Sequence, residues 1–197
     1  GAWRNGEPGM IFLDQVNKDN HVKETYGEMI ATNPCGEQPL LGNESCNLGS
    51  VNLARFYTKA DGPTHGWDEK VDWNRLEWVT RKAVHFLDNV IDANKYATSE
   101  IEQMTKATRK IGLGVMGFAD LLIQMHIPYN SSTARDVGAK LMSKIKEWAD
   151  DESKELAKVR GTFPAWSDSN YNKDTEAYRN HCRLTVAPTG TISMIAD

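Results

Sequence analysis

Apolar residues recur at three- and four-residue steps along two long stretches of the chain, which is the spacing of an amphipathic helix. The first stretch begins after Asp72, a good N-cap, and continues to about residue 94. The second runs from Ser131 to Val159 and has a polar outer face. Shorter helices are predicted from Leu13 to about Lys18 and from Ser99 to Lys110. A turn-rich connection, "ADGPTHGWDEK" at 60–70, precedes the first long helix.

Short apolar runs alternate with these helices. The stretch "KIGLGVMGFADLLIQM" predicts a very short strand and then a helix from about Met116. A further strand is predicted from Leu184 to Ala187, ending in a Pro-Thr-Gly turn. Val51, Leu53 and Phe56 indicate a strand or the start of a helix after a glycine- and proline-rich loop. Helices that alternate with short buried strands favour an α/β fold with parallel strand pairing.

Composition narrows the function classes. The 197 residues suffice for one domain with a core, and the net charge of −4 gives no basic surplus for binding nucleic acid. No apolar run is long enough to span a membrane, and the opening "GAWRNGEPGM" lacks the features of a signal peptide. Only three cysteines are present, which argues against a disulfide scaffold and for a reducing, cytoplasmic location.

One of these cysteines stands in the loop "NPCGEQPL". Asn33 precedes Cys35 by two residues and Glu37 follows it by two, while Pro34 and Gly36 permit a tight turn. A free cysteine is commonly a small buried hydrophobe, and that interpretation stays open here. A thiolate nucleophile, as in a thiol hydrolase, is disfavoured because a nearby carboxylate raises a thiol pKa. Hydrogen-atom transfer needs no thiolate, and Glu37 would then serve as a base.

The other two cysteines have simpler interpretations. Cys46, in "ESCNLGSVNL", is either a buried residue or a metal ligand. Cys182 stands at the start of an apolar strand and is expected in the core. The chain has no C-x-x-C pair, and the adjacent His181 does not complete a zinc spacing, so no metal site is predicted.

Two glycine-containing motifs are ambiguous by themselves. "GLGVMG", Gly112 to Gly117, matches a dinucleotide fingerprint, but no clear strand precedes it. Its glycines can instead let a strand pass closely into a packed helix.

"APTGTIS", Ala187 to Ser193, offers three hydroxyls and a glycine that can turn backbone N–H groups toward a phosphate. No lysine follows that glycine, so it is not a P-loop, and an ordinary turn remains the alternative.

Taken in order, "NPCGEQPL", "ESCNLGSVNL", "RKIGLGVMGFADLL" and "APTGTISMIA" resemble the catalytic-barrel motifs of ribonucleotide reductases, most closely the adenosylcobalamin-dependent class II enzymes. The resemblance covers essentially the whole chain. It implies part of a ten-stranded α/β barrel over residues 1–197, with a finger loop at about 31–53 that carries the radical cysteine. It also implies a phosphate loop at about 187–193.

The resemblance implies a role for each motif residue. Cys35 would be the radical cysteine, Asn33 and Glu37 its substrate-binding partners, and Cys46 one of two reducing cysteines. The substrate phosphates would be held by Thr189, Gly190, Thr191, Ile192 and Ser193. The reaction would be thiyl-radical reduction of ribonucleoside di- or triphosphates to 2′-deoxyribonucleotides for DNA synthesis, with adenosylcobalamin as the radical source.

The resemblance also implies partners and limits. Thioredoxin or glutaredoxin would re-reduce the cysteine pair, and the complete enzyme would be a homodimer. The partner of Cys46 and the C-terminal cysteine pair of the family have no counterpart here, so the chain is expected to be a fragment that is inactive alone and prone to self-association. A non-catalytic module that binds nucleotide phosphates is the alternative function.

Overall fold

The structure is a computed structural model that describes residues 1–59, 66–171, 173 and 176–196. The α-helices are α1 (Ala2–Asn5), α2 (Leu13–Val16), α3 (Lys23–Tyr26), α4 (Trp73–Ala93), α5 (Ser99–Thr108), α6 (Phe118–Gln124), α7 (Ser132–Arg160) and α8 (Gly190–Ala196). The strands are β1 (Ala31–Thr32), β2 (Pro39–Leu40), β3 (Asn47–Asn52) and β4 (Ile111–Met116). Short 3₁₀ helices occupy Asn17–Asp19, Leu53–Phe56, Trp67–Lys70 and Pro164–Asp168. Most of the predicted turn-rich connection, 60–65, lies outside the described residues.

The two long helices confirm the periodicity. Asp72 caps α4 by accepting a hydrogen bond from the backbone N–H of Arg75 at 3.0 Å. Ser131 caps α7 in the same way through the N–H of Ala134 at 3.1 Å. A side-chain oxygen at this position satisfies one of the N–H groups that a helix leaves unpaired at its start. The two helices pack on each other and supply most of the large hydrophobic core.

The predicted parallel pairing is confirmed. β3 and β4 run parallel in a two-stranded sheet, in a register that opposes Asn47 to Ile111 and Asn52 to Met116. On the other edge of β4, Leu113 makes a parallel bridge to Leu184. The predicted strand from Leu184 to Ala187 is therefore too long, because only this one bridge forms there. The described residues contribute these three adjacent segments to the expected barrel.

The first five residues of "GLGVMG" lie in strand β4 and its last residue, Gly117, is the N-cap of α6, so the glycines do not form a loop after a strand and the dinucleotide-fingerprint interpretation is wrong. The glycines are required by close packing. A Cβ added to Gly114 would lie 2.2 Å from the carbonyl oxygen of Thr185, and one added to Gly112 would lie 2.5 Å from the Thr185 methyl. Gly112 and Gly114 therefore let the segment before the predicted phosphate loop approach the sheet closely.

Helix α5 ends two residues earlier than predicted because Arg109 adopts a left-handed conformation, with φ 46°. The Arg109 guanidinium is buried and donates hydrogen bonds to Asp88 and Asp92. Asp88 is fully buried and also accepts from Asn180, Arg160 and Arg179. This charged cluster ties α4 to the start of β4 and to the segment before residue 182.

A second, smaller apolar cluster stands beside the main core. It centres on Phe163 and Tyr171 and includes Val22 and Leu41 from the N-terminal part of the chain. The hairpin formed by the two-residue strands β1 and β2 extends from this cluster toward the sheet. Earlier in the chain, α2 continues directly into a 3₁₀ turn that ends at Asp19. The N-terminal segments thus support the hairpin whose tip carries Cys35.

Candidate active site

The Cys35 motif forms the tip of the β1–β2 hairpin, which pairs Ala31 with Leu40 and Thr32 with Pro39. Asn33 closes the tip: its carbonyl accepts from the N–H of Gly36 at 3.0 Å and its side-chain oxygen accepts from Gln38 N–H at 3.0 Å. Gly36 has φ 83°, a conformation that favours glycine. The turn leaves Cys35 exposed, so this thiol is not part of the core.

A cleft of about 350 Å³ brings together three separate segments of the chain, the last of which is far from the other two in sequence. Asn33, Cys35 and Glu37 line it from the hairpin, 48–50 from β3, and 187–192 from the segment after Leu184. The side-chain oxygen Oε2 of Glu37 is buried and has no hydrogen-bond partner. A buried carboxylate oxygen without a partner is costly, so this atom is available to a group that enters the cleft.

The hairpin tip is attached to the sheet through Thr185. The Thr185 hydroxyl donates to the backbone carbonyl of Glu37 at 2.9 Å. Thr185 in turn donates its N–H to the carbonyl of Leu113 in β4 at 3.0 Å. The Thr185 side chain therefore connects the Glu37 backbone to the sheet and fixes its position relative to β4.

The predicted phosphate loop lies at the carboxyl end of the segment that pairs with β4. Thr189 has φ 59°, and α8 begins at the next residue, Gly190. The carbonyl of Thr189 accepts from the N–H of Ser193 at 2.9 Å, and the Ser193 hydroxyl donates to the carbonyl of Gly190. The segment is the start of a helix and not a hairpin turn. Thr189, Gly190, Thr191 and Ile192 line the cleft, whereas Ser193 is not among its lining residues.

Cys46 stands immediately before β3 and is half-buried. Burial raises the pKa of its thiol well above the ordinary range, and the nearby Cys182, Glu44 and Glu37 act in the same direction. Lys110 is the positive charge that opposes them. Cys46 is thus a neutral thiol at pH 7, within electrostatic reach of Glu37 but not among the residues that line the cleft.

Cys182 is half-buried and not a full member of the core, contrary to expectation. Its sulfur lies 3.9 Å from the side-chain nitrogen of Gln38 and 3.4 Å from the carbonyl of Leu184. Across the described ranges, no group of three or more His, Cys, Asp and Glu side chains is arranged to hold a metal ion. In the same part of the chain no helix is long and apolar enough to cross a membrane.

Sequence reasoning missed the residues that support the hairpin. Lys110 and Glu44 form a fully buried ion pair beneath it, and Thr185 holds its tip. In the sequence Lys110 belongs to the charged run "KATRK", which is typical of a solvated helix end. Only its position directly before a buried strand distinguishes it, and that signal is weak.

A family model and two relatives that match this chain all carry the name of one family. A family model described as "Ribonucleotide reductase, barrel domain" matches residues 1–178. The chain is 51% identical over 195 residues to a vitamin B12-dependent ribonucleoside-diphosphate reductase from Thermoplasma acidophilum, covering 99% of this chain and 24% of the relative. It is 50% identical over 195 residues to the protein of the same name from Mycobacterium tuberculosis strain H37Rv, covering 99% of this chain and 26% of the relative.

The fold has a counterpart among solved structures. The alpha subunit of a class Id ribonucleotide reductase from Actinobacillus ureae superposes with a TM-score of 0.76 at 24% identity, over 98% of this chain and 35% of that chain. At this identity the similarity concerns the fold alone. The chain spans about a quarter of the length of the curated relatives it matches.

Proposed function

The chain belongs to the family of ribonucleotide reductase barrel domains, and on that premise we propose that it carries the catalytic centre of a ribonucleoside-diphosphate reductase. The observation that supports this most strongly is the single cleft shared by Asn33, Cys35, Glu37 and the 187–192 segment. An amide, a thiol and a carboxylate face a loop with hydroxyls and a helix start, which suits a sugar at one end and phosphates at the other. The diphosphate is favoured by the names of the relatives.

Each cleft residue has a role that its chemistry permits. Cys35, once its sulfur has lost a hydrogen atom, takes the hydrogen atom from C3′ of the ribose. Glu37 accepts the proton of the 3′ hydroxyl, for which its buried and unpartnered oxygen is suited. Asn33 holds the developing 3′ carbonyl with its side-chain amide group, since its oxygen is already engaged by Gln38.

Reduction then follows at C2′. The 2′ hydroxyl gains a proton and leaves as water, and a new C2′–H bond replaces the broken C2′–O bond. Cys46 and a partner thiol supply the two protons and two electrons for this and become a disulfide, and Glu37 returns its proton to the 3′ oxygen. Cys35 returns the hydrogen atom to C3′ and recovers its thiyl form. The raised pKa of Cys46 supports a thiol that still carries its hydrogen when the substrate arrives.

The radical source that we propose is adenosylcobalamin, as the names of the B12-dependent relatives suggest. When bound, adenosylcobalamin supplies an organic radical that can remove a hydrogen atom from a thiol. The exposed sulfur of Cys35 at the tip of its loop fits a source that has to reach it from outside the hairpin. We also propose thioredoxin or glutaredoxin as the reductant, a homodimeric enzyme and a cytoplasmic location, which suits three unpaired cysteines.

The test uses this sequence within a subunit of the relatives' full length, hereafter the full-length subunit. Cys35→Ser should abolish formation of deoxyribonucleotide, because an O–H hydrogen is held too strongly to be exchanged as a thiol hydrogen is. Cys182→Ser is the matched control and should retain turnover. The Cys46→Ser variant should still abstract the 3′ hydrogen from the substrate. Because it cannot reduce the resulting intermediate, it should release free base in place of the product.

Some outcomes would contradict the proposal. Turnover by Cys35→Ser, or the same clean loss of substrate binding in the Cys35 and Cys46 variants, would remove the radical assignment. Binding of ribonucleoside diphosphate with no reduction by the wild-type full-length subunit under any radical source would favour the non-catalytic phosphate-binding module instead. The 197-residue chain by itself is expected to show no reduction.

A further inference from the structure

Lys110 is a charged side chain in a place where charges are rare. Its side chain is 1% exposed and that of its partner Glu44 is 0% exposed. The ammonium group donates to Glu44 Oε2 at 2.8 Å and to the backbone carbonyl of Pro39 at 2.9 Å. Lys110 directly precedes β4, so this one side chain connects the sheet to the second strand of the hairpin.

The geometry of the hairpin explains why the carbonyl of Pro39 is available. The carbonyls of Gln38 and Leu40 point toward β1 and accept from the N–H groups of Asn33 and Ile30. Successive carbonyls of a strand point in opposite directions, so that of Pro39 points away from β1. Lys110 satisfies a group that the two-stranded hairpin cannot satisfy by itself.

Glu44 completes the arrangement. The same oxygen that receives Lys110 also accepts from the backbone N–H of Leu41 at 2.9 Å, which fixes the turn after β2. Continuing the β3–β4 register by one residue places Cys46 opposite Lys110. Lys110 therefore lies between the base of the Cys35 hairpin and the start of the strand that follows Cys46.

Few other hydrogen bonds hold the hairpin tip within the part of the chain that the structure describes. β1 and β2 share two residue pairs, the Thr185 hydroxyl donates to the Glu37 carbonyl, and the Gln38 side-chain nitrogen lies 3.9 Å from the Cys182 sulfur. Replacing a buried ion pair by apolar side chains of similar volume is often neutral for stability, so the Lys110–Glu44 pair is weak evidence of a stabilising role. We propose that Lys110 is a positioning residue, which through Pro39 sets where Cys35 and Glu37 stand over the substrate sugar. This inference rests on the proposed function.

The principal test is the double variant Lys110→Met with Glu44→Met in the full-length subunit, which removes both charges together. The variant should fold, with a melting temperature below that of the wild type because the Pro39 carbonyl and the Leu41 N–H lose their partners. Its KM for ribonucleoside diphosphate should change less than threefold. Its kcat should fall by on the order of a hundredfold, the effect of a displacement of about 1 Å at reacting atoms. Lys106→Met, which breaks the exposed ion pair with Glu102, is the matched control and should keep its kcat.

Hydrogen exchange gives a readout that does not depend on catalysis or on the double variant. In Lys110→Gln, the protected amides of Gly36 and Gln38 should exchange at least tenfold faster, while those of β4 stay protected. A folded double variant with wild-type kcat would overturn the inference, and so would equal loss of protection in the hairpin and β4. If the wild-type full-length subunit does not reduce ribonucleotides, the proposed function fails, and the exchange experiment still decides whether Lys110 holds the hairpin.

Discussion

Gly114 provides the sharpest test of how the cleft is built. A methyl group at this position would lie 2.2 Å from the carbonyl oxygen of Thr185 and 3.4 Å from the Cα of Val186. Both are backbone atoms, so no side-chain rotation relieves the contact. Thr185 is hydrogen-bonded to Leu113 on one side and to Glu37 on the other, so a shift of this segment changes two connections at once.

The expected loss of stability in Gly114→Ala follows from the free-energy cost of overpacking. Forcing one extra methyl group into a packed site typically costs about 1–3 kcal/mol. For a chain of this length, 1 kcal/mol changes the melting temperature by about 2–4 °C, so Gly114→Ala should melt roughly 2–12 °C below the wild type. Gly49→Ala is the matched control, because its methyl group would lie 3.5 Å from Leu87, an ordinary contact. That variant should be neutral, or more stable by about 0.4–1 kcal/mol through a less flexible unfolded chain.

The assays are thermal melting and urea denaturation of the two variants and the wild type, both followed by circular dichroism, with the m-value in urea checked for constancy. A lower midpoint for Gly114→Ala alone is the expected result. In the full-length subunit, Gly114→Ala should also lower kcat, because Glu37 moves with Thr185. Equal midpoints for the two alanine variants would refute the close approach between β4 and the 183–187 segment.

Three further predictions concern charge. Asp88→Ala should destabilise the fold by about 3–5 kcal/mol in the same denaturation assay, because it leaves the buried Arg109 guanidinium without its fully buried partner; an effect below 1 kcal/mol would contradict the buried cluster. Burial lowers the pKa of His181 to about 3, from an ordinary value of 6.5. The unfolded chain therefore binds the extra proton first, and stability should fall as the pH is lowered from 6.5 toward 3, by up to about 1.4 kcal/mol per pH unit. His181→Phe should flatten that slope when unfolding is measured across the window, and an unchanged slope would contradict the assignment. Glu37→Gln in the full-length subunit should keep the KM of the substrate and lower kcat by about 10²–10⁴, the range for a lost general base, as steady-state kinetics would show; a raised KM with unchanged kcat would indicate a binding role only.

Local signals predicted the helices well and the site poorly. The caps Asp72 and Ser131 and the apolar spacing that follows them are properties of contiguous sequence, so α4 and α7 could be predicted from the sequence alone. The predicted strand from Leu184 to Ala187 is a single bridge in the structure, because a segment forms a strand only where a neighbouring segment pairs with it. The chemistry of Asn33, Cys35 and Glu37 was suggested by their spacing, but their placement opposite the 187–192 segment came from resemblance.

The supporting residues could not be predicted because their partners are distant in sequence. Lys110 meets Pro39 and Glu44, which precede it by 71 and 66 residues, and Thr185 meets Glu37 across 148 residues. Charge and hydroxyl groups in a polar stretch look solvated until the fold brings them inside. A sequence without an alignment contains no signal that pairs them.

The cleft has a consequence for the order in which the chain becomes functional during synthesis. The main core is assembled from residues between 51 and 156, whereas the wall made by 187–192 is translated only after all of them. A ribosome-bound chain whose residue 160 has left the exit tunnel can pack α4, α7 and the β3–β4 sheet before the 187–192 segment is free to fold opposite Cys35. The thiol of Cys35 is thus made early and its opposing wall late, so the nascent chain has no complete cleft for a substrate until 187–192 has been translated and folded.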